Sequence, residues 1–121
     1  MRSTKQRNVI LDIINNSYDH LDAYGVYEEA RKKISNISLG TVYRNLKALE
    51  DANLIDAVFD GADKLRYDRK TWHQHFICTR CHKIIDIYDL GFEQIDAYKN
   101  NKVMNYKIIL EGICEECQKE E

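Results

Sequence analysis

Ser38-Leu39-Gly40-Thr41-Val42-Tyr43-Arg44-Asn45-Leu46-Lys47-Ala48-Leu49 is the stretch on which the fold turns. Ser38 is a residue type that caps helices, its hydroxyl accepting a backbone N–H that the first turn leaves orphaned. Val42, Leu46 and Leu49 follow at i, i+4 and i+7, the spacing of one buried helix face. At about 100° per residue, Thr41, Tyr43, Arg44 and Lys47 fall on the opposite side. The stretch therefore predicts an amphipathic helix with a mixed aromatic and basic outer face. On an isolated helix such a face is ordinary solvated surface, so its meaning depends on what flanks it.

Upstream, two more helices are predicted. Val9, Ile10, Ile13 and Ile14 repeat at helical spacing between Thr4 and Asn16. Asp22 can cap a second segment whose inner face is Val26, Tyr27, Ala30 and Ile34. Downstream, residues 54–59 and 64–67 read as strands around Asp60-Gly61-Ala62-Asp63, a turn signal. Three short helices of this kind resemble a helix-turn-helix, and a hairpin directly after the third is the wing of a winged helix. In that setting the outer face of the third helix becomes a candidate DNA-reading surface. Arg44 suits guanine or a phosphate, Tyr43 a thymine methyl, and Lys47 a phosphate, with Thr41 beside them. Lys5, Arg7, Lys64 and Arg66 are further phosphate candidates.

The second half is mixed. Residues 75–78 and 83–88 are strand-like around a Cys-x-x-Cys turn, residues 90–100 suggest a helix, and 103–113 a third strand. The expected class is α+β: an N-terminal winged helix-turn-helix domain over 1–68, a hinge at 69–72, and a small α/β dimerisation domain over 73–121. A small sheet with one helix cannot cover both its faces, which predicts a homodimer. Trp72 is expected at the domain junction.

Bulk properties agree with a folded chain. Of 121 residues 44% are hydrophobic and 31% charged, which supports a core and argues against disorder. No apolar run approaches a membrane span, and residues 1–7 lack the apolar stretch of an export signal, so a cytoplasmic protein with no membrane association is expected. A net charge of −2 argues against nucleic acid as a partner. The charge is uneven, however: residues 1–70 carry 12 Lys/Arg against 11 Asp/Glu, and residues 71–121 carry 6 against 9. DNA binding must then rest on a local basic surface.

All four cysteines lie in two Cys-x-x-Cys pairs, Cys78/Cys81 and Cys114/Cys117. In a reducing compartment this spacing reads as a metal site and not as disulfides. Two such chelating turns, brought together by antiparallel strands, give a closed tetrahedral site suited to structural Zn2+. His73-Gln74-His75 is a second cluster. On a strand, i and i+2 share a side, so both imidazoles can meet one metal, while Cys78 has the opposite parity. Asp68 and Asp86 stand near in sequence. His82 reads as an exposed turn residue.

His73-x-His75-Phe76-x-Cys78-x-x-Cys81-x-Lys83-Ile84-Ile85-Asp86 resembles the signature of the ferric uptake regulator (Fur) family. Residues 38–46 are similar to that family's recognition-helix motif, with Gly40 where Ala is usual. Arg2-x-Thr4-x-Gln6-Arg7 and Gly112-Ile113-Cys114-x-x-Cys117 extend the resemblance to nearly the whole chain. It implies a dimeric repressor that binds a double-stranded DNA operator of two-fold symmetry and senses a metal at the hinge. In the peroxide-sensing (PerR) branch, three histidines and two aspartates hold that metal, Fe2+ or Mn2+. These fall here on His20, Asp68, His73, His75 and Asp86. Iron-sensing members usually carry glutamate at both aspartate positions. An additional site of many iron sensors needs an acid where Gln74 stands and a histidine beyond His82, and both are lacking. Arg44 instead matches iron sensors, and His82 stands where glycine is common.

The resemblance implies that bound iron oxidises its own ligand, His20 or His73, and so releases DNA. A regulator of iron or other metal uptake is the alternative. A metalloenzyme and a zinc-stabilised interaction module are more distant ones, and the winged helix speaks against both.

Overall fold

The computed structural model describes residues 4–70, 74–90, 95–104 and 106–120. Arg2, Trp72 and His73 lie outside the described residues. The chain divides into two compact units, 1–71 and 72–121.

The first unit has helices α1 (Lys5–Asn15), α2 (Ala23–Arg31) and α3 (Leu39–Asp51), then strands β1 (Ile55–Phe59) and β2 (Leu65–Arg69). The three helices start alike. Thr4, Asp22 and Ser38 hold extended backbone, and their side chains accept N–H bonds from Arg7, Gly25 and Thr41 three residues on. α3 stops at Asn53, which takes φ 62°. The Leu54 N–H then reaches the Leu49 carbonyl at 3.0 Å and the Asn53 N–H reaches Glu50 at 2.9 Å. These two bonds satisfy the helix's last carbonyls, with Asn doing what glycine usually does. β1 and β2 pair antiparallel from Ile55↔Arg69 to Phe59↔Leu65. Arg69, expected in the hinge, is the last residue of β2.

The helix faces read from the sequence converge on one core. Ile10, Ile14, Val26, Ala30, Val42, Leu46, Leu49 and Ile55 are almost fully buried in it. Each large aliphatic side chain removed from water in this way is worth roughly 1.5–3 kcal/mol. One inner-face residue is polar. Asn45 accepts from Arg7 Nε at 2.9 Å and donates to the Thr41 carbonyl at 2.8 Å, tying α3 to α1.

The second unit contains β3 (Gln74–Cys78), β4 (Ile84–Ile87), β5 (Ala97–Tyr98), β6 (Asn101–Lys102), β7 (Ile109–Gly112) and α4 (Glu115–Lys119). Three expectations are corrected here. The strands that deliver the two Cys-x-x-Cys turns are parallel, not antiparallel: β3 pairs β7 from His75↔Ile109 to Cys78↔Gly112. The reason is geometric. Both turns follow the C-terminal ends of their strands, so the turns meet only if the strands run the same way. The helix expected over 90–100 is absent at its end, where Ala97–Lys102 forms a tight antiparallel hairpin. Lys99 and Asn100 both take positive φ, 46° and 69°, the backbone of a two-residue hairpin loop. The third strand is short, 109–112 in place of 103–113.

Asp60 shows how the wing turn is held. Its buried carboxylate accepts N–H bonds from Ala62 at 2.8 Å and from Asp63 and Lys64 at 3.2 Å, and Arg66 Nε reaches it at 3.4 Å. Burial opposes the charge, but the Ala62 and Lys64 N–H groups and the Arg66 guanidinium outweigh it. The carboxyl is held below its ordinary value of 3.8. A group with a depressed folded pKa contributes stability above its unfolded pKa, and loses it as pH falls through the folded value. Asp60→Asn is therefore expected to cost about 1–2 kcal/mol at pH 7 in urea denaturation. The difference from wild type should shrink between pH 4 and lower pH. A difference that stays constant through that acid range would contradict the assignment.

Candidate metal centres

The parallel pairing of β3 and β7 gathers the four cysteines. Cys78 ends β3, and Cys114 caps α4 just beyond β7, with Cys117 in the first turn of that helix. The four sulfurs all lie within 4.8 Å of one another. Cys78–Cys117 and Cys81–Cys114 are each separated by 3.8 Å. A tetrahedral zinc with metal–sulfur bonds of about 2.3 Å requires ligand–ligand edges of about 3.8 Å. The donor set and its spacing thus fit zinc.

The electrostatics agree. Backbone N–H groups of Cys114 and Cys81 each point at the Cys78 sulfur at 3.4 Å. They favour the thiolate, led by the Cys114 bond, and draw its pKa down to about 5. Cys117 is pushed the other way, to about 12, by the neighbouring Cys114 sulfur and then by burial. Four sulfurs this close cannot all carry charge without a cation among them, and a divalent ion removes that conflict.

The first turn closes through the His82 N–H, which donates to the Cys78 carbonyl at 2.9 Å. His82 takes φ 63°, which explains why glycine suits this position. It is half-buried rather than exposed, and its Nδ1 has no hydrogen-bond partner among the described residues.

The histidine and aspartate candidates form two pairs, one in each unit. In the first unit His20 Nε2 lies 3.6 Å from Asp68 Oδ2, and both side chains are buried. His20 sits in the loop between α1 and α2, and Asp68 on β2. In the second unit His75 and Asp86 face each other across β3 and β4. Their side chains approach to 3.4 Å. Both pairs combine imidazole and carboxylate with no thiolate, a donor set suited to iron or manganese. His73, the fifth candidate, lies outside the described residues.

Of the DNA-reading candidates, Tyr43, Arg44 and Lys47 are exposed on α3 and Thr41 is half-buried. Arg44 Nη2 donates to Thr41 Oγ1 at 3.1 Å, and Lys47 pairs with Asp51 at 3.2 Å. Lys5 is exposed at the start of α1. Arg7, Lys64 and Arg66 already have protein partners in Asn45, Asp22 and Asp60. What the sequence reading missed is this internal use of three cations, and the buried Asn45. Its signal was a polar residue on the inner face between Val42 and Leu49.

A three-helix winged unit followed by a four-thiolate unit defines a class of DNA-binding regulator. The model of the ferric uptake regulator family matches residues 1–118. The peroxide operon regulator of Bacillus subtilis is 32% identical over 126 residues, covering 100% of this chain and 87% of that protein. The Helicobacter pylori ferric uptake regulator, described with three functional metal-binding sites, superposes with a TM-score of 0.75 at 26% identity, over 98% of this chain and 83% of that one. A peroxide stress regulator from Campylobacter jejuni gives 0.73 at 26% identity, over 93% and 88%. This chain belongs to the ferric uptake regulator family, and it is a metal-dependent transcriptional regulator, not an enzyme.

Cys114→Ser is expected to remove zinc from the second unit and to lower the melting temperature of the chain. Metal analysis by mass spectrometry alongside calorimetry checks this. One zinc per chain at undiminished stability would contradict the four-thiolate assignment.

Proposed function

We propose that this chain is a peroxide-sensing repressor. In this reading Cys78, Cys81, Cys114 and Cys117 hold a structural zinc, and His20, Asp68, His73, His75 and Asp86 bind regulatory Fe(II) or Mn(II). A homodimer built on residues 73–121 binds a two-fold symmetric operator through Thr41, Tyr43, Arg44 and Lys47 of α3, with Lys5 and Arg7 adding phosphate contacts. The protein works in the cytoplasm. Among the described residues no helix is long and apolar enough to cross a membrane.

The observation that carries this reading is the paired donors, His20 with Asp68 and His75 with Asp86, each pair close, with His20, Asp68 and His75 buried and Asp86 half-buried. Both carboxylates are aspartates, as in the peroxide-sensing branch. The similarity to peroxide regulators over the full chain supports the same reading. When held by these residues, Fe(II) would activate the peroxide O–O bond, while the imidazole supplies the two electrons that the net reaction consumes. The protein's own part is to offer an oxidisable imidazole beside it. Hydrogen peroxide gives one oxygen to a ring carbon of His20 or His73, and the other oxygen leaves as water. The modified ring is a poorer ligand, so metal binding weakens and DNA binding is lost with it. Exposed apolar side chains support the dimer: Ile85, Tyr88, Tyr98, Ile109 and Leu110 are left uncovered in the second unit.

The test is operator binding with Fe(II) and with Mn(II), before and after a low dose of hydrogen peroxide, with peptide mass spectrometry. The expected result is loss of DNA binding in the iron form alone, with one added oxygen on His20 or His73. If peroxide changes nothing and DNA binding simply follows metal supply, the chain is a metal-uptake regulator instead.

A further inference from the structure

His20 holds φ 51°, a left-handed backbone that a non-glycine residue keeps only where its surroundings impose it. The surroundings here are β2. Arg66 Nη1 donates to the His20 carbonyl at 3.2 Å, and the Tyr67 N–H donates to the Leu21 carbonyl at 2.8 Å. Arg69 Nη1 reaches the Ser17 carbonyl at 3.5 Å. The Arg69 guanidinium also lies over the Tyr18 ring, 4.0 Å from its centroid. Residues 17–22 are thus fastened at both ends to the strand that carries Asp68.

Tyr18 is 69% exposed, so its ring adds little to the core. The Arg69 side chain is only 12% exposed, which places a permanent charge in a poorly hydrated seat. A weakly hydrated guanidinium stacked on an aromatic face tolerates that seat better than an ammonium does.

We propose that Tyr18 and Arg69 form a clamp that pre-positions His20 against Asp68, making them positioning residues of the regulatory metal site. The proposal rests on reading His20 and Asp68 as ligands. Without the clamp, the loop spends only part of its time in the binding geometry. The apparent metal affinity then falls by that fraction, about tenfold if a tenth of the loops remain competent.

Arg69 makes the proposal sharply testable, because its charge and its clamping role pull in opposite directions. It lies 3.8 Å from Asp68, so its charge alone repels a cation from that carboxylate. Removing only the charge would tighten metal binding, whereas removing the clamp loosens it.

The experiment measures Mn(II) affinity of full-length protein carrying one zinc per chain, from the electron paramagnetic resonance of free Mn(II). Wild type is compared with Tyr18→Ala, Tyr18→Phe and Arg69→Gln. Tyr18→Ala and Arg69→Gln should each bind about tenfold more weakly. Tyr18→Phe, which keeps the aromatic face, should stay within about threefold of wild type. In the metal-free proteins, amide exchange over 17–22 should quicken in the two weakened variants while α1 to α3 keep their protection. Unchanged affinity in Tyr18→Ala, or tighter binding in Arg69→Gln, overturns the clamp while leaving the ligand reading intact. A wild-type chain that takes up no Mn(II) beyond its zinc refutes the ligand reading, and the clamp's role with it.

Discussion

Four sulfur atoms within 4.8 Å of one another gather the two Cys-x-x-Cys turns of a unit in which few other described side chains are buried. Among the described residues of the second unit, the buried apolar side chains are Ile77, Cys78 and Cys114. The first unit, by contrast, packs a dozen buried side chains into one core. About fifty residues with so few buried apolar groups fall below the size at which a hydrophobic core suffices, and a structural metal is one of the usual remedies. The parallel pairing of β3 and β7 follows from the same requirement, since it brings both Cys-x-x-Cys turns to one end of the sheet. The sulfur cluster is therefore the core of this unit and the reason for its topology.

The two units are built to different standards of self-sufficiency, and the proposed regulation uses the difference. The winged helix is capped at three helix starts, closed by Asn53 and pinned at its wing by Asp60. Its core is apolar and contains no thiolate. Its His20–Asp68 pair is a buried polar feature at the rim of this stable body. Ligand groups held on a rigid scaffold bind with less ordering cost, and losing one is felt as a discrete event. In the proposed mechanism, oxidation of an imidazole weakens metal binding without unfolding this unit, as a switch requires.

Much of this was legible in the residues. Ser38, Asp22 and Thr4 announced helix starts because capping is local chemistry, and the inner faces of α1 to α3 followed from spacing. The two Cys-x-x-Cys pairs announced their site because chelation by a short turn is also local. The strand direction was not legible, because pairing between residues far apart in sequence leaves no local trace. The hairpin at 97–102 was hidden because Lys99 and Asn100 are weaker turn signals than Asn-Gly, while Leu90, Ile95 and Tyr98 imitate helical spacing. Arg7, Lys64 and Arg66 were legible as cations but not as cations already in use. The clamp of Tyr18 and Arg69 joins residues 51 positions apart, and composition gives no sign of it.

The central proposal is that His20, Asp68, His75 and Asp86 are all ligands of the regulatory metal. Cobalt(II) titration of the zinc-loaded chain, followed by visible and X-ray absorption spectra, tests it most directly. The account predicts one cobalt per chain in a shell of nitrogen and oxygen without sulfur, lost alike in His20→Ala and in Asp86→Ala. A cobalt site that survives either substitution with its spectrum unchanged would show that the substituted residue is not a ligand, and would contradict the account.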